Sequence, residues 1–473
     1  MVMGEFTQET DLLVIGGGPG GYAAAFRAAD LGLDVMMVDI AERPGGVCLH
    51  RGCIPSKTYL HLADLIHDAR SAAAMGLGFD APRIDLAAMR AWKGKVVDQL
   101  AQGLVILTEK RGIQYIQGRA VFEDDRHVRI KGRDALRVSF KHAIIAAGSH
   151  AIALPGSDFG QGGRIMSSTG ALNLTDIPER LLVVGGGYVG LELGMVYAAL
   201  GSRITLVEVG DRLLPGVDSD LVAPLKKRLN DTFATLLFNT RVAALDATET
   251  GVSARIESDG GNSALEVDRV LVAIGRRPNT EALGLETTGV QLDERGFIAV
   301  DAHQRTAVPH IYAIGDIVGG VMLAHKAMFE GKVAAEVIAG HPSAFDVRAI
   351  PAVVYTDPQI AWAGITEAEA RAQDMAVAVE KFPWKFSGRA LTTGTPAGLT
   401  KMIVAKDTRR VIGVGICGRG AEGLIAEGVL AIEMGALAED VALSMHAHPT
   451  LSETEGEAAE IFLGAATHVL PKV

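Results

Sequence analysis

Two stretches of this chain, 169 positions apart, spell the same unit, and few folds can hold both. Residues 11–39 read DLLVI, GGGPGG, an alanine-rich YAAAFRAADLG and then LDVMMVD, the pattern of a strand, a glycine turn, a helix and a second strand. Gly16, Gly18 and Gly21 have the spacing GxGxxG, and Asp39 closes the second strand. In such a unit the first glycine allows the tight turn, the second lets backbone approach a pyrophosphate, and the third packs helix on strand. The helix N-terminus then attracts phosphate, and the acid binds ribose hydroxyls. From Leu181, LLVVGGGYVGLELGMVYAALGSRITLVE repeats the unit with Gly185, Gly187, Gly190 and Glu208; first glycines and terminal acids are both offset by 169. The repeat predicts an α/β chain with two Rossmann-like dinucleotide-binding domains, the arrangement that brings one redox cofactor against another. Glu208 would accept a ribose 2′-hydroxyl and repel a 2′-phosphate, which favours NAD over NADP, while Arg212 nearby is the residue that would accommodate the phosphate.

Between the two units stands GGVCLHRGCIPSKTY, residues 45–59, in which Cys48 and Cys53 are five positions apart and Lys57 follows one helical turn later. Bridging cysteines this close shortens the unfolded chain little, about 2 kcal/mol against roughly 4.7 for a hundred-residue loop, so stability is a poor reason for the pair. Three readings remain: a redox disulfide, two buried free thiols, or half of a metal site with His50 as a further ligand. The chain has only three cysteines, which excludes a structural disulfide framework and fits a reducing cytosol; Cys417 reads as a buried hydrophobe. A formal net charge of -11 argues against nucleic acid or an anionic membrane as partner. The N-terminus, MVMGEFTQETDLLVIGGG, is acidic where a targeting peptide is basic, so a cytoplasmic protein is expected. Residues 181–200 are the most membrane-like, but they carry three consecutive glycines and Glu192 and repeat elsewhere, so no membrane span is expected.

Along the rest of the chain, residues 59–115 carry apolar positions three and four apart and predict mainly helix; 115–140 alternate and predict short strands; HAIIAAGS, 142–149, predicts a buried strand ending in a glycine turn. Pro155 and Gly156 mark a linker, and VLVAIGRRPN closes the second unit with another strand into a glycine turn. TAVPHIYAIGD, 306–316, is an apolar strand delivering Asp316, either toward a cofactor or as the N-cap of the helix predicted in MLAHKAMFEGKVAAEVIAG. From about Ile350 the strands and helices predict a separate α+β domain. It ends HAHPTLSETEGEAAE, where His446, His448 and Glu453 are either packing and capping residues or a base with its orienting carboxylate, the latter only if the intervening turn folds back.

Two dinucleotide units, CxxxxC, TAVPHIYAIGD and HxHPTxxE, in this order over essentially the whole chain, resemble the pyridine-nucleotide-disulfide oxidoreductases, and CIPSK and HAHPTLSE are specific strings. The resemblance is to the members that oxidise dihydrolipoyl groups: mercuric reductases carry a second cysteine pair near a C-terminus that here reads HVLPKV, and glutathione-type reductases read CVPKK. It implies an FAD-binding domain of residues 1–152 and 280–348, an NAD-binding domain of 153–279 and a C-terminal dimerisation domain of 349–473. FAD would be held by Gly16, Gly18, Gly21, Asp39, Lys57, Asp316 and the backbone of Ala120 and Ala324; NAD by Gly185, Gly187, Gly190, Glu208 and Gly275. Lys57 would sit beside flavin N5, paired with Glu192. Cys48 would meet substrate and Cys53 the flavin, while His448 of a second subunit, oriented by Glu453, would take the substrate thiol proton. A homodimer and the lipoyl domains of 2-oxo-acid dehydrogenase complexes are the implied partners. The alternatives are another disulfide substrate or a non-catalytic scaffold subunit. One departure stands out: the family commonly has Asn-Val between the sulfurs where this chain has His50 and Arg51. A cation there is expected to favour thiolate and raise the reduction potential.

Overall fold

The computed structural model describes residues 7–132, 135–160 and 163–470, so part of each terminus read above lies outside the described residues. In the first unit the strand Thr7–Ile15 lies between Val35–Asp39 and Leu136–Ile145, all parallel, with Leu12 opposite both Val35 and His142. Gln114–Phe122 extends the sheet beyond Val35–Asp39 and then turns into an antiparallel meander through His127–Gly132. The far edge is Ile311–Ala313, which pairs with Ala143–Ile145 only after the chain has passed through the whole second unit. There the parallel order is Thr235–Leu237, Arg203–Val207, Arg180–Val184, Arg269–Val272 and Ile165–Met166, the same strand order with the edge supplied from earlier in the chain. The segments crossing between the units, Ser149–Ala151 and Arg276–Pro278, pair antiparallel with each other. A five-stranded antiparallel sheet follows, Ala352–Val354, Ile360–Gly364, Val411–Cys417, Leu399–Ala405 and Val377–Pro383, covered by the helices Ala421–Met434 and Glu453–Leu463.

The helical expectation over 59–115 holds as two helices, Cys53–Ser71 and Leu86–Lys110, but residues 76–85 are not helical. A 3-10 turn, Ala72–Met75, follows the first and is closed by Gly76 at φ +91°, and Pro82 lies in the connection. The membrane-like segment is explained by its surroundings. The helix Tyr188–Leu200 is buried from Gly190 through Tyr197 because it is pressed between its own sheet and the helix Cys53–Ser71. One apolar core runs from Tyr59 and Leu60 through Leu191 to Val354 and Ile360, and so crosses all three parts of the chain. Among the described residues no helix is long and apolar enough to cross a membrane.

The second unit is also locked to the last sheet by charge. Lys401, 1 % exposed, donates to Asp218 and Asp220 at 2.8 Å each and to Glu367 at 3.3 Å, and Lys381 reaches Asp220 at 2.6 Å. Burial pushes the Asp220 carboxyl up, but Lys381 and Lys401 outweigh it and hold it below the ordinary carboxylate range. Removing one member of a buried cluster strands the others. Lys401→Met is therefore expected to cost about 3 kcal/mol, read as a lower urea midpoint than wild type. Asp220's share of this stability is full above the ordinary carboxylate range and disappears as pH falls through its depressed value.

Candidate functional site

The two glycine turns repeat down to single hydrogen bonds. Asp39 accepts from the Gly17 N–H at 2.5 Å and the Ala41 N–H at 2.8 Å; Glu208 accepts from the Gly186 N–H at 2.6 Å and the Gly210 N–H at 2.7 Å. Each acid thus ties its turn to the end of its second strand and keeps lone pairs for hydroxyl groups. Gly16 and Gly185, at φ +112° and +107°, leave no room for a side chain, since a Cβ would stand 2.2 Å from Ala146 O and 2.4 Å from Ala273 O. A cleft opens from the first turn. Gly16, Gly18, Asp39, Cys48, Cys53, Lys57, Asp316 and Ala324 all line it. A second cleft opens from the other turn, lined by Gly185, Gly187, Glu208 and Gly275. The clefts share Ser168, Tyr188, Val189 and Arg276, so they meet back to back. Gly21 and Gly190 lie behind the turns, where each lets its helix close on the strand. Arg212 donates to Pro215 O at 2.8 Å and does not line the second cleft.

Ala120 is placed differently from the other expected cofactor residues. It is buried in the strand Gln114–Phe122 opposite Ile130 and does not line the cleft. Pairing with Val35–Asp39 stops at Gln117, three residues earlier. Asp316 is no N-cap: it sits inside a short turn, Gly315–Val318, and accepts from the Ser149 hydroxyl. Arg276 holds that hydroxyl from the other side, its Nε donating at 2.7 Å. Behind the turn, Glu330 accepts the Gly315 N–H at 2.7 Å and pairs with Lys326 at 2.6 Å, both nearly inaccessible. None of Ser149, Arg276, Lys326 and Glu330 was singled out by the sequence. Only the crossing of two distant segments gives them a role.

The thiols stand where one short helix, Gly46–Arg51, ends and another, Cys53–Ser71, begins, with Gly52 between. Cys48 and Cys53 are free thiols in hydrogen-bonding contact, and that contact divides them. Cys53, receiving the bond from Cys48 against the cost of burial and aided by the Lys57 charge, has its pKa lowered to about 7. Cys48, giving that bond and partly desolvated beside the resulting charge, is pushed well above an ordinary thiol. Lys57 is the leading cation at both sulfurs, and Arg51 is exposed at the cleft wall. His50 is turned away, its Nε2 at 3.0 Å from Pro44 O. Lys57 itself donates to Glu192 at 2.8 Å.

At the far end of the chain the turn after His448 does fold back. His448 Nδ1 lies 2.8 Å from Glu453 Oε1, and Glu453 Oε2 accepts the Thr450 N–H at 2.7 Å. Burial raises the Glu453 carboxyl, but Thr450 and His448 together bring it below its usual range. The carboxylate therefore stays charged and fixes the ring. His448 is 74 % exposed, and neither it nor Glu453 lines the cleft of its own chain. His446 does the packing job instead, bonded to Glu427 at 2.8 Å on the neighbouring helix.

Comparison with known proteins agrees with this geometry. A chain from Geobacillus stearothermophilus named dihydrolipoyl dehydrogenase is 45 % identical over 473 residues, covering all of both chains. Those of Haemophilus influenzae and Vibrio parahaemolyticus with the same name are 47 % and 46 % identical, covering 97 % of this chain and 96 % and 97 % of their own. Among solved structures, LpdA from Mycobacterium tuberculosis superposes with a TM-score of 0.89 at 27 % identity, covering 96 % of this chain and 99 % of that one. A flavoprotein disulfide reductase of Escherichia coli induced by HOCl gives 0.84 at 25 % identity, covering 95 % and 99 %. The model of the pyridine nucleotide-disulphide oxidoreductases matches residues 10–331 and that of their dimerisation domain residues 350–459. With a paired-thiol cleft set against a second dinucleotide cleft, and with both matches in this order, the chain belongs to the pyridine nucleotide-disulphide oxidoreductase family.

Proposed function

We propose that this chain is a dihydrolipoyl dehydrogenase, a homodimeric flavoprotein that oxidises carrier-bound dihydrolipoamide and reduces NAD. The observation that carries the reading is the pair of unlike thiols beside Lys57, lining one dinucleotide cleft at the place where it backs onto another. The first cleft fits FAD: the Gly16 turn excludes a side chain, Asp39 keeps free lone pairs at its ribose end, and Lys57 and Asp316 line it beyond the thiols. Bound there, FAD supplies an acceptor for the electron pair and a hydride donor for NAD. Residues 1–152 and 280–348 form the unit that holds it, with Ala324 contributing backbone, while Ala120, which does not line the cleft, drops out of the set. Residues 153–279 hold NAD through Gly185, Gly187, Gly190, Glu208 and Gly275, and the bonded Glu208 carboxylate disfavours a 2′-phosphate. Residues 349–473 form the dimer contact.

The residues divide the work by charge. His448 and Glu453 do not line the paired-thiol cleft of their own chain; they serve that of the second copy, where His448 takes the proton of the substrate thiol. In the oxidised enzyme the two sulfurs are joined; the substrate thiolate attacks Cys48, the Cys48–Cys53 bond breaks, and Cys53 leaves as the more stable thiolate. Lys57 steadies that charge, and Glu192 keeps Lys57 in place. The second substrate thiol then displaces Cys48 from the mixed disulfide, closing the substrate disulfide and leaving both cysteines reduced; with FAD bound, the two electrons would pass from Cys53 to the flavin as the Cys48–Cys53 bond re-forms. The dithiol this chain oxidises is carried by the lipoyl domain of a 2-oxo-acid dehydrogenase complex.

NAD reduction by dihydrolipoamide should be abolished by Cys48→Ser. It should fall about 10²- to 10⁴-fold in His448→Gln. Mixing and reassembling these two variants should restore activity in the heterodimers; retention of full activity by Cys48→Ser would sink the reading. The lowered pKa of Cys53 gives a second test. In the two-electron-reduced holoenzyme, long-wavelength absorbance from thiolate to flavin should be half developed near pH 7, stronger above and lost below, and the midpoint should rise in Lys57→Met.

A further inference from the structure

Lys57, Glu192 and Tyr355 come from three separate parts of the chain and meet at one point. Lys57 is on the helix that begins with Cys53, Glu192 on the helix of the second glycine turn, and Tyr355 just past the first strand of the last sheet. The Lys57 ammonium donates to one oxygen of Glu192 at 2.8 Å and lies 4.3 Å from the centroid of the Tyr355 ring. The Tyr355 N–H donates to the other oxygen of Glu192 at 3.0 Å. Glu192 is almost wholly buried, while Lys57 keeps a third of its side-chain surface open. An ammonium on a flexible stem with an open side loses rotamer freedom by staying put, and one carboxylate does not fix its direction. The ring face fills part of that need. It attracts the cation without carrying a charge, so it holds Lys57 without cancelling the field that Lys57 exerts on Cys53.

We propose that Tyr355 is a positioning residue for the thiol chemistry: its ring and its N–H hold Lys57 and Glu192 in the one arrangement that lets the ammonium stabilise the Cys53 thiolate. The last domain thereby sets the poise of a thiol carried by the first. The inference rests on the role given above to Cys53 and goes beyond it. The charged and titratable groups acting at Cys53 are Cys48, Lys57 and Glu192, and Cys53 in turn acts on Tyr22, Tyr188 and Tyr355. Burial pushes all three phenols up, so they stay neutral through the range in which Cys53 titrates.

The test is the pH midpoint of the thiolate-to-flavin absorbance in two-electron-reduced holoenzyme carrying Tyr355→Phe, Tyr355→Trp or Tyr355→Leu, with Lys57→Met as the limiting case. Phe keeps a ring face and should leave the midpoint where it is. Leu should raise it by about half a unit toward Lys57→Met, leaving roughly half the wild-type absorbance at pH 7. Trp, the better cation acceptor, should lie at or below wild type, and this arm decides if the Leu variant does not retain flavin. A midpoint that Leu leaves unmoved, that Phe and Leu shift alike, or that Trp raises overturns the proposal. Dihydrolipoamide turnover is measured on the same samples. A wild-type protein that shows the band without oxidising dihydrolipoamide refutes the substrate and leaves the role of Tyr355 standing, whereas a wild-type protein with no band refutes both.

Discussion

The structure depends on a contact that admits no side chain. At Gly16 a Cβ would meet the carbonyl of Ala146, and at Gly21 one would stand 1.8 Å from Gly16 O; Gly185 and Gly190 repeat both collisions at 2.4 and 2.2 Å. Because these positions are bare, the return strand passes directly over the turn and the helix starts close against it. The turn N–H groups can then face a ligand and the terminal acid can reach back to fasten them. Everything else is arranged around two such turns. The strand order of each sheet follows from having the glycine strand at its centre, and the first sheet waits for Ile311–Ala313 because the chain inserts the second unit before finishing the first.

Once two units are interleaved in this way, the parts of the chain must be fixed against one another, and charge helps to do so at two of the joints. Lys401 binds Asp218 and Asp220 across one joint; Lys57 and Tyr355 bind Glu192 across another. A buried ion pair is a weak source of net stability, since desolvation consumes much of the attraction, but its geometry is demanding. Apolar packing such as the shared core from Tyr59 to Ile360 tolerates small slides, whereas a carboxylate with both oxygens bonded does not. The joint that needs the tighter tolerance is the one at the thiols, and it is the one where three parts of the chain converge.

What the sequence made legible was whatever lies within one element or repeats. The glycine turns, the acids that close them, CxxxxC with Lys57, and the folded-back His448 and Glu453 depend on neighbours at most some twenty positions away. Ser149 with Arg276, Glu330 behind Gly315, and Tyr355 against Lys57 could not be read this way, because each meets its partner only after the chain has crossed between units. Adjacency in sequence drew attention to Arg51, which stands exposed at the cleft wall, but the leading cation at the sulfurs is Lys57, one turn along on the helix that carries Cys53.

The division of the thiols has a mechanical origin. Two identical side chains become unlike because only one of them begins a long helix with a lysine on its next turn, while the other ends up giving the hydrogen bond. In the reduced pair the charge rests on Cys53, and Cys48 stays protonated and uncharged. Such a thiol gains nothing from a second base buried beside it, which would draw off its proton and place two negative sulfurs together. The base for substrate is better carried elsewhere and brought in by assembly. The proposed base fits that requirement: His448 stands on an exposed turn, is already aligned by Glu453 and does not line the paired-thiol cleft of its own chain.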